Sequence, residues 1–157
     1  FKKVIKMKTK TFLALLLLVI VGCGCSKADK DTSPEAVIVR EIPQEQLLGI
    51  NLEKDTLKVI QSRKELQDLF PNQNLGERTI FKEIDFSTQT VLLGSKFFVH
   101  TYGVKSYDFR KKGNNEYTLK VSLSDTFFTQ PRVLYYGIIV KKISDNANIS
   151  FNIQKSN

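Results

Sequence analysis

Residues 116–125 read Glu-Tyr-Thr-Leu-Lys-Val-Ser-Leu-Ser-Asp, and this stretch carries the clearest structural signal in the chain. A period of two is typical of a β-strand with one buried face and one face in water. The preceding residues 111–115, Lys-Lys-Gly-Asn-Asn, predict a turn because Gly and Asn tolerate positive φ. We therefore expect a hairpin whose first strand spans residues 102–110. The alternating apolar positions of its second strand are Tyr117, Leu119, Val121 and Leu123.

Two longer apolar segments lie on either side of this hairpin. Residues 90–99 and 132–143 carry apolar side chains on both parities, which predicts strands that are covered on two faces. Shorter strands are predicted wherever a brief apolar run is bounded by polar residues or proline. These are residues 36–39, 47–52 and 57–60, with a last alternating strand at Ile149, Phe151 and Ile153.

One short helix is predicted to begin after Ser62. Ser62 and Glu65 match a capping box, in which the hydroxyl accepts from an amide of the first turn and the carboxylate reaches back. The predicted helix spans residues 63–70. The fold class is therefore mainly β (α+β), either an antiparallel sheet or a small β-sandwich with one short helix. The apolar spacing of the helix and the proline that ends it are seen at Leu66, Leu69, Phe70 and Pro71.

The first residues of the chain have the pattern of an export signal. Five lysines precede an apolar run over residues 12–22, which is shorter than the ~20 apolar residues that a membrane-spanning helix needs. We therefore predict a lipoprotein signal peptide over residues 1–22. Residues 23–34 are predicted to be a lipidated cysteine and a flexible, polar tether, and residues 35–157 a single β-rich globular domain.

The cysteine assignment depends on residues 20–23, which read Ile-Val-Gly-Cys and resemble the bacterial lipobox. The resemblance implies that Cys23 becomes the first residue and carries a diacylglyceryl group and a third acyl chain, so that membrane lipid is a partner. Several chains anchor a protein stably, whereas one binds reversibly. Cleavage without lipidation and lipidation at Cys25 are the alternatives. Gly24 implies, by the same resemblance, a location at the outer membrane of the bacterial cell envelope.

Charge and cysteine content exclude several classes of protein. The chain has 24 basic and 16 acidic residues, but five of the lysines lie in the predicted signal peptide. The remaining 19 basic residues exceed the 16 acidic ones by three and are spread in mixed sign, so nucleic acid is excluded as a partner. The two cysteines of the chain are Cys23 and Cys25, and none follows them, so no disulfide is expected to stabilise the domain.

Patterns for catalysis and metal binding are missing from the sequence. The chain has one histidine, His100, which is expected to be a structural or surface residue, so neither a catalytic triad nor a metal site is predicted. No phosphate-binding motif occurs, and no cofactor is expected. A hydrolase that needs only two carboxylates stays open, although solvated charge at strand ends is the other interpretation. The candidate acids are Asp85, Asp108, Glu116 and Asp125.

Three aromatic doublets occur in the chain, at residues 97–98, 127–128 and 135–136. Adjacent residues of a strand point to opposite faces, so one ring of each pair leaves the main core. Either a second core layer covers these rings or they form an exposed patch. Phe127 and Phe128, beside Thr-Gln-Pro in a predicted loop, are the candidate residues for contact with a partner protein.

Several short, largely apolar segments follow one another along the chain, at residues 59–62, Leu66, 69–70, 84–87 and 91–94. Their spacing resembles small bacterial lipoproteins of unassigned function. It is also similar to the C-terminal domain of PrcB-type subunits, which associate with and stabilise a surface protease. The resemblance covers residues 57–153 and implies a non-enzymatic, lipid-anchored accessory module that binds another envelope protein. The alternatives are a carboxylate-based envelope hydrolase and a lipoprotein that binds a small ligand between sheet and helix.

Overall fold

The computed structural model describes residues 34–155, so the predicted signal peptide, Cys23 and most of the tether lie outside the described residues. Within that range the chain forms seven strands, two short α-helices and two 3₁₀-helices. No helix in this part of the chain has the length and apolar composition needed to cross a membrane. The strands are β1 (Ile38–Glu41), β2 (Leu57–Ile60), β3 (Gln89–Phe98), β4 (Tyr102–Gly113), β5 (Glu116–Asp125), β6 (Arg132–Lys141) and β7 (Asn148–Lys155). The helices are α1 (Arg63–Asp68) and α2 (Thr79–Lys82), and the 3₁₀-helices are Gln44–Leu47 and Leu75–Glu77.

The strands form two sheets of unequal size. One sheet has four strands in the order β1-β6-β3-β2, and the other has three strands in the order β4-β5-β7. All neighbours are antiparallel except β5 and β7, which are parallel. Because the chain passes from β5 to β6 in the other sheet before it returns as β7, β5 and β7 run in the same direction. The predicted mainly β fold is confirmed, in the form of a small sandwich with this one parallel pair.

The four-stranded sheet is the middle of three layers. Along β3, Val91 and Leu93 belong to a core on the helix side of the sheet, whereas Leu92 belongs to a core between the two sheets. Along β6, Ile139 and Ile138 divide in the same way. We call these clusters the helix-side core and the inter-sheet core. The predicted coverage of β3 and β6 on two faces is therefore confirmed.

Strand β5 has one buried face, as its alternation predicts. Leu119, Val121 and Leu123 are at most 2% exposed and belong to the inter-sheet core. Each such side chain contributes on the order of 1.5–3 kcal/mol when it leaves water. The hairpin from β4 to β5 turns at Asn114 and Asn115, and the φ angle of Asn115 is +59°. The turn that residues 111–115 predict is thus present.

Helix α1 begins where its capping box predicts. The Ser62 hydroxyl accepts a hydrogen bond from the Glu65 amide at 3.2 Å, and the Glu65 carboxylate accepts from the Gln61 amide at 2.7 Å. Helix α2 was not predicted, because it has only four residues and no side-chain cap at its start. The Arg63 guanidinium donates to carbonyls at and after the end of α2, among them that of Ile84 at 3.0 Å. Arg63 therefore joins the two helices.

The strand predicted over residues 47–52 is wrong. This segment contains the end of a 3₁₀-helix and a turn in which Gly49 has a φ angle of +77°. That φ angle favours glycine, and a side chain there would also displace the Gln73 amide, which donates to the Leu48 carbonyl at 3.1 Å. Leu47, Ile50 and Leu52 still enter the helix-side core. Their burial explains the apolar pattern, while the glycine breaks the extended backbone.

Candidate binding cleft and aromatic loop

Residues 126–131 connect β5 to β6 and carry two exposed phenylalanines. We call this segment the aromatic loop. Phe127 is fully exposed and Phe128 is 71% exposed. A second core layer therefore does not cover this doublet. An exposed aromatic pair on a small domain is typical of a contact surface, because such rings lose unfavourable contact with water when a partner covers them.

Hydrogen bonds fix the backbone of the aromatic loop against the connection between β3 and β4. The Thr126 hydroxyl donates to the Thr101 carbonyl at 2.7 Å. In the other direction, the Thr101 amide donates to the Phe128 carbonyl at 3.2 Å. The Thr101 hydroxyl donates to the Gln130 carbonyl at 3.0 Å. Because these bonds hold both sides of the loop, the two rings project from a defined backbone.

The other two aromatic doublets are covered by the layers of the fold. Tyr136 is 3% exposed and lies in the inter-sheet core, while Tyr135 packs against the helix-side core. Phe98 packs against the inter-sheet core, and Phe97 is 39% exposed with the Lys54 ammonium 5.1 Å from its ring centroid. The second core layer thus explains residues 135–136 fully and residues 97–98 in part.

A cleft of about 380 Å³ lies beside the aromatic loop. It is formed where the end of β3, the start of β4, the aromatic loop, the start of β6 and the first 3₁₀-helix meet. Two of the rings that line it, those of Phe98 and Tyr102, make an edge contact with centroids 4.8 Å apart. The other apolar residues of the lining are Leu48, Phe128, Val133, Leu134 and Tyr135.

Polar side chains line the same cleft, among them those of Gln44, Glu45, His100 and Arg132. Gln44 donates weakly to the Tyr135 carbonyl at 3.4 Å. Arg132 and His100 are exposed, and neither makes a side-chain hydrogen bond or ion pair with any residue between 34 and 155 that the structure describes. Glu45 is the one carboxylate of the lining. The cleft therefore combines an apolar surface with a guanidinium that is available to an anionic group.

The candidate hydrolase acids do not lie in this cleft. Asp85 accepts from the Ser87 hydroxyl and amide within its own turn, and these hydrogen bonds hold the pKa of its carboxyl below the ordinary value. Asp108, midway along β4, pairs with the guanidinium of a neighbouring arginine at 2.9 Å. Glu116 begins β5 and Asp125 ends it, so the length of the strand separates them. With Glu45 alone, the cleft does not hold the two facing carboxylates that glycoside hydrolysis needs.

The histidine and the carboxylates of the described residues are dispersed over the domain. Among residues 34–155, no three His, Cys, Asp or Glu side chains are grouped so that they would hold a metal ion. His100 lines the cleft as an exposed side chain, with no second histidine in the chain to accompany it.

Sequence reasoning found the aromatic loop but missed the cleft. Phe127 and Phe128 stand out in the sequence because they precede Thr-Gln-Pro outside any regular pattern. The cleft joins Gln44 to Tyr135, which are 91 residues apart. No local sequence pattern predicts a contact between residues so far apart in the chain. The one sequence signal available was His100 at the end of an apolar strand, which by itself indicates no partner.

Comparison of the chain with protein-family models, with curated proteins and with solved structures found no match.

Proposed function

We propose that this protein is a lipid-anchored accessory protein of the bacterial cell envelope that binds another envelope protein and catalyses no reaction. The observation that carries the binding role is the exposure of Phe127 and Phe128 on a loop whose backbone is hydrogen-bonded on both sides. Aromatic side chains dominate the binding energy of many protein interfaces. A loop that is already ordered loses little conformational entropy on binding, which raises affinity.

The anchoring role rests on the lipobox-like residues 20–23 and on the polar tether that follows. Acylation of Cys23 would keep the domain at the membrane surface, where its partner is also confined. The test is metabolic labelling with an alkyne fatty acid. Cys23→Ala is expected to abolish the label, and Cys25→Ala, the matched control, is expected to retain it. Label that survives in Cys23→Ala and is lost in Cys25→Ala would move the lipid to Cys25.

The binding role is tested by photo-crosslinking in the native envelope. A photoreactive amino acid at Thr129, which is exposed on the aromatic loop, should give a discrete higher-mass adduct. The same amino acid at Val39 is the control, because Val39 is 42% exposed on β1 and does not line the cleft. Adding Phe127→Ala and Phe128→Ala should remove the Thr129 adduct. Equal adducts at both positions would contradict a specific contact through the loop.

A second function, the binding of a small amphipathic anion, is favoured by Arg132. Its guanidinium stands at a cleft whose volume of about 380 Å³ is within the usual range for small-molecule sites. A ligand with an apolar body and a carboxylate or phosphate group would match that combination. Native mass spectrometry of the purified protein tests it: a bound mass that is lost in Arg132→Gln supports this function, and an unliganded spectrum contradicts it.

A further inference from the structure

Strand β7 has a free backbone edge. It pairs with β5 and with no other strand that the structure describes. The Asn148 amide donates to Asn115 of the β4–β5 turn at 2.8 Å. Because backbone groups of successive strand residues point to alternate sides, the amides and carbonyls of Ile149, Phe151 and Ile153 point away from β5. They are available to another strand.

The other sheet edges carry features that prevent strand addition. Strands β1 and β2 have only four residues each, and β1 has an irregular register at Ile38–Arg40. Strand β4 is long, but its pairing is interrupted at Val104–Ser106 and at Lys111–Gly113, and it carries several basic residues. Short length, bulges and charge are the usual protections of an edge. Strand β7 has eight residues in continuous register and lacks proline.

The charge on β7 is confined to its last residue, Lys155. The Lys155 ammonium lies 4.7 Å from the centroid of the Tyr102 ring, and a hydrogen bond with the Tyr102 hydroxyl raises the pKa of the ammonium. This side chain is therefore engaged by its own domain. The rest of the strand presents an uncharged edge. In this respect β7 differs from the edge strands β1, β2 and β4, which are short, irregular or charged.

We propose that two copies of this chain pair through β7, antiparallel about a two-fold axis at Phe151. This register places Phe151 opposite its symmetry mate and Ile149 opposite Ile153. On the outer face it places Ser150 opposite Asn152 and Asn148 opposite Gln154. Apolar meets apolar and uncharged polar meets uncharged polar, so no like charges are opposed. The two three-stranded sheets become one sheet of six strands, β4-β5-β7-β7-β5-β4.

A groove beside β7 supports this pairing. It has a volume of about 320 Å³ and runs between the open edges of the two sheets, where Leu57, Tyr136, Phe151 and Ile153 line it. The charged residues of the same groove, Asp55 and Lys96, neutralise each other in an ion pair of 2.8 Å. A second copy at β7 would cover the half-buried Phe151 and Ile153 and shield this groove from water, which adds apolar burial to the backbone hydrogen bonds.

The pairing is tested by charge at its outer face. In Ser150→Lys/Asn152→Lys, each new lysine opposes another across the two-fold axis, while both positions are exposed in the monomer. The mature acylated chain should sediment as a dimer in density-matched detergent, and this variant should dimerise at least about tenfold more weakly. Mixing it with Ser150→Glu/Asn152→Glu should restore a one-to-one heterodimer. Ser122→Lys, on the outer face of β5, is the matched control and should remain dimeric.

A covalent test uses the same face. In a Cys25→Ala background, cysteines at Ser150 and Asn152 should form interchain disulfides under mild oxidation, because directly opposed residues of antiparallel strands lie ~4.5–5.5 Å apart. Cysteines at Thr118 and Lys120 of β5 are the control, since three strand spacings separate β5 from its symmetry mate. Three outcomes would overturn the proposal. The wild-type chain could be monomeric, the lysine variant could dimerise as strongly as the wild type, or the two pairs of cysteines could crosslink equally.

Discussion

The doublets Phe127-Phe128 and Tyr135-Tyr136 are close in the sequence and alike in composition, yet they have opposite environments. Tyr136 is 3% exposed between the sheets, whereas Phe127 is fully exposed. The difference lies in what surrounds the backbone. Strand β6 is in the middle of three layers, so both of its faces are covered. The aromatic loop lies outside the layers, and its hydrogen bonds to Thr101 hold the rings in water.

The largest effect is expected from truncating one ring of each doublet. Tyr136→Ala removes a buried ring from the inter-sheet core and should lower the free energy of unfolding by about 3–5 kcal/mol. Phe127→Ala is the matched control and should change it by less than about 0.5 kcal/mol, because its ring contacts solvent. Urea unfolding of both variants measures the difference. Comparable losses in the two would show that the aromatic loop belongs to the core.

A smaller effect should follow from filling the space beneath Tyr136. A Cβ atom at Gly94, the cross-strand neighbour on β3, would lie 2.2 Å from the Tyr136 ring. Gly94→Ala should therefore destabilise by about 1–3 kcal/mol. In the double variant with Tyr136→Ala this cost should largely disappear, and a double-mutant cycle by urea unfolding measures the coupling. Additive losses would mean that the glycine is needed for its backbone alone.

Alkaline pH should destabilise the protein through the buried doublet. Burial raises the pKa of Tyr136 to about 12, so the folded state favours the neutral phenol. Stability from this group is complete below about pH 10, the pKa of an unfolded tyrosine, and is lost as pH rises from about 10 to about 12. The free energy of unfolding, measured over this pH range, should fall less steeply in Tyr136→Phe than in the wild type. Parallel curves would show that the hydroxyl titrates equally in both states.

The smallest effect on stability is expected from the hydrogen bonds of the aromatic loop. Thr126→Val removes the donor to the Thr101 carbonyl and should cost about 0.5–1.5 kcal/mol. Its effect on binding should be larger than that figure implies, because the rings would lose their fixed backbone. The photo-crosslinking yield at Thr129 measures this, with Ser122→Val as the control. An unchanged yield would mean that the order of the loop does not contribute to binding.

Much of the fold follows from the parity of the apolar residues. Residues 90–99 and 132–143 are apolar on both parities because β3 and β6 have a core on each face, and β5 alternates because one of its faces is in water. Residues 47–52 misled the prediction because burial without regular structure leaves the same apolar trace as a strand. Helix α2 left no signal, since it has no side-chain cap at its start and the carbonyls at its C-terminal end accept from a guanidinium of α1.

The candidate site, too, could be predicted from the sequence only in part. The exposure of Phe127 and Phe128 was one of two interpretations open from the sequence, because an isolated doublet does not reveal whether a layer covers it. The cleft could not be predicted, since its residues come from three stretches that are far apart in the sequence, residues 44–48, 98–103 and 126–135. The parallel pairing of β7 was also hidden, because Ile149, Phe151 and Ile153 give the same alternation in either strand direction.

The contact between Asn148 and the carbonyl of Asn115 has a consequence for the order of folding. The β4–β5 hairpin closes locally, and such hairpins form within microseconds. Strand β7 docks onto that turn only after the intervening chain has been placed, which makes its arrival a late step. Until then the backbone amides and carbonyls along one edge of β5 have no strand to pair with. We expect Ile149→Val chiefly to accelerate unfolding and Leu119→Ala to slow refolding, as stopped-flow kinetics would measure; the reverse pattern would place β7 in the nucleus.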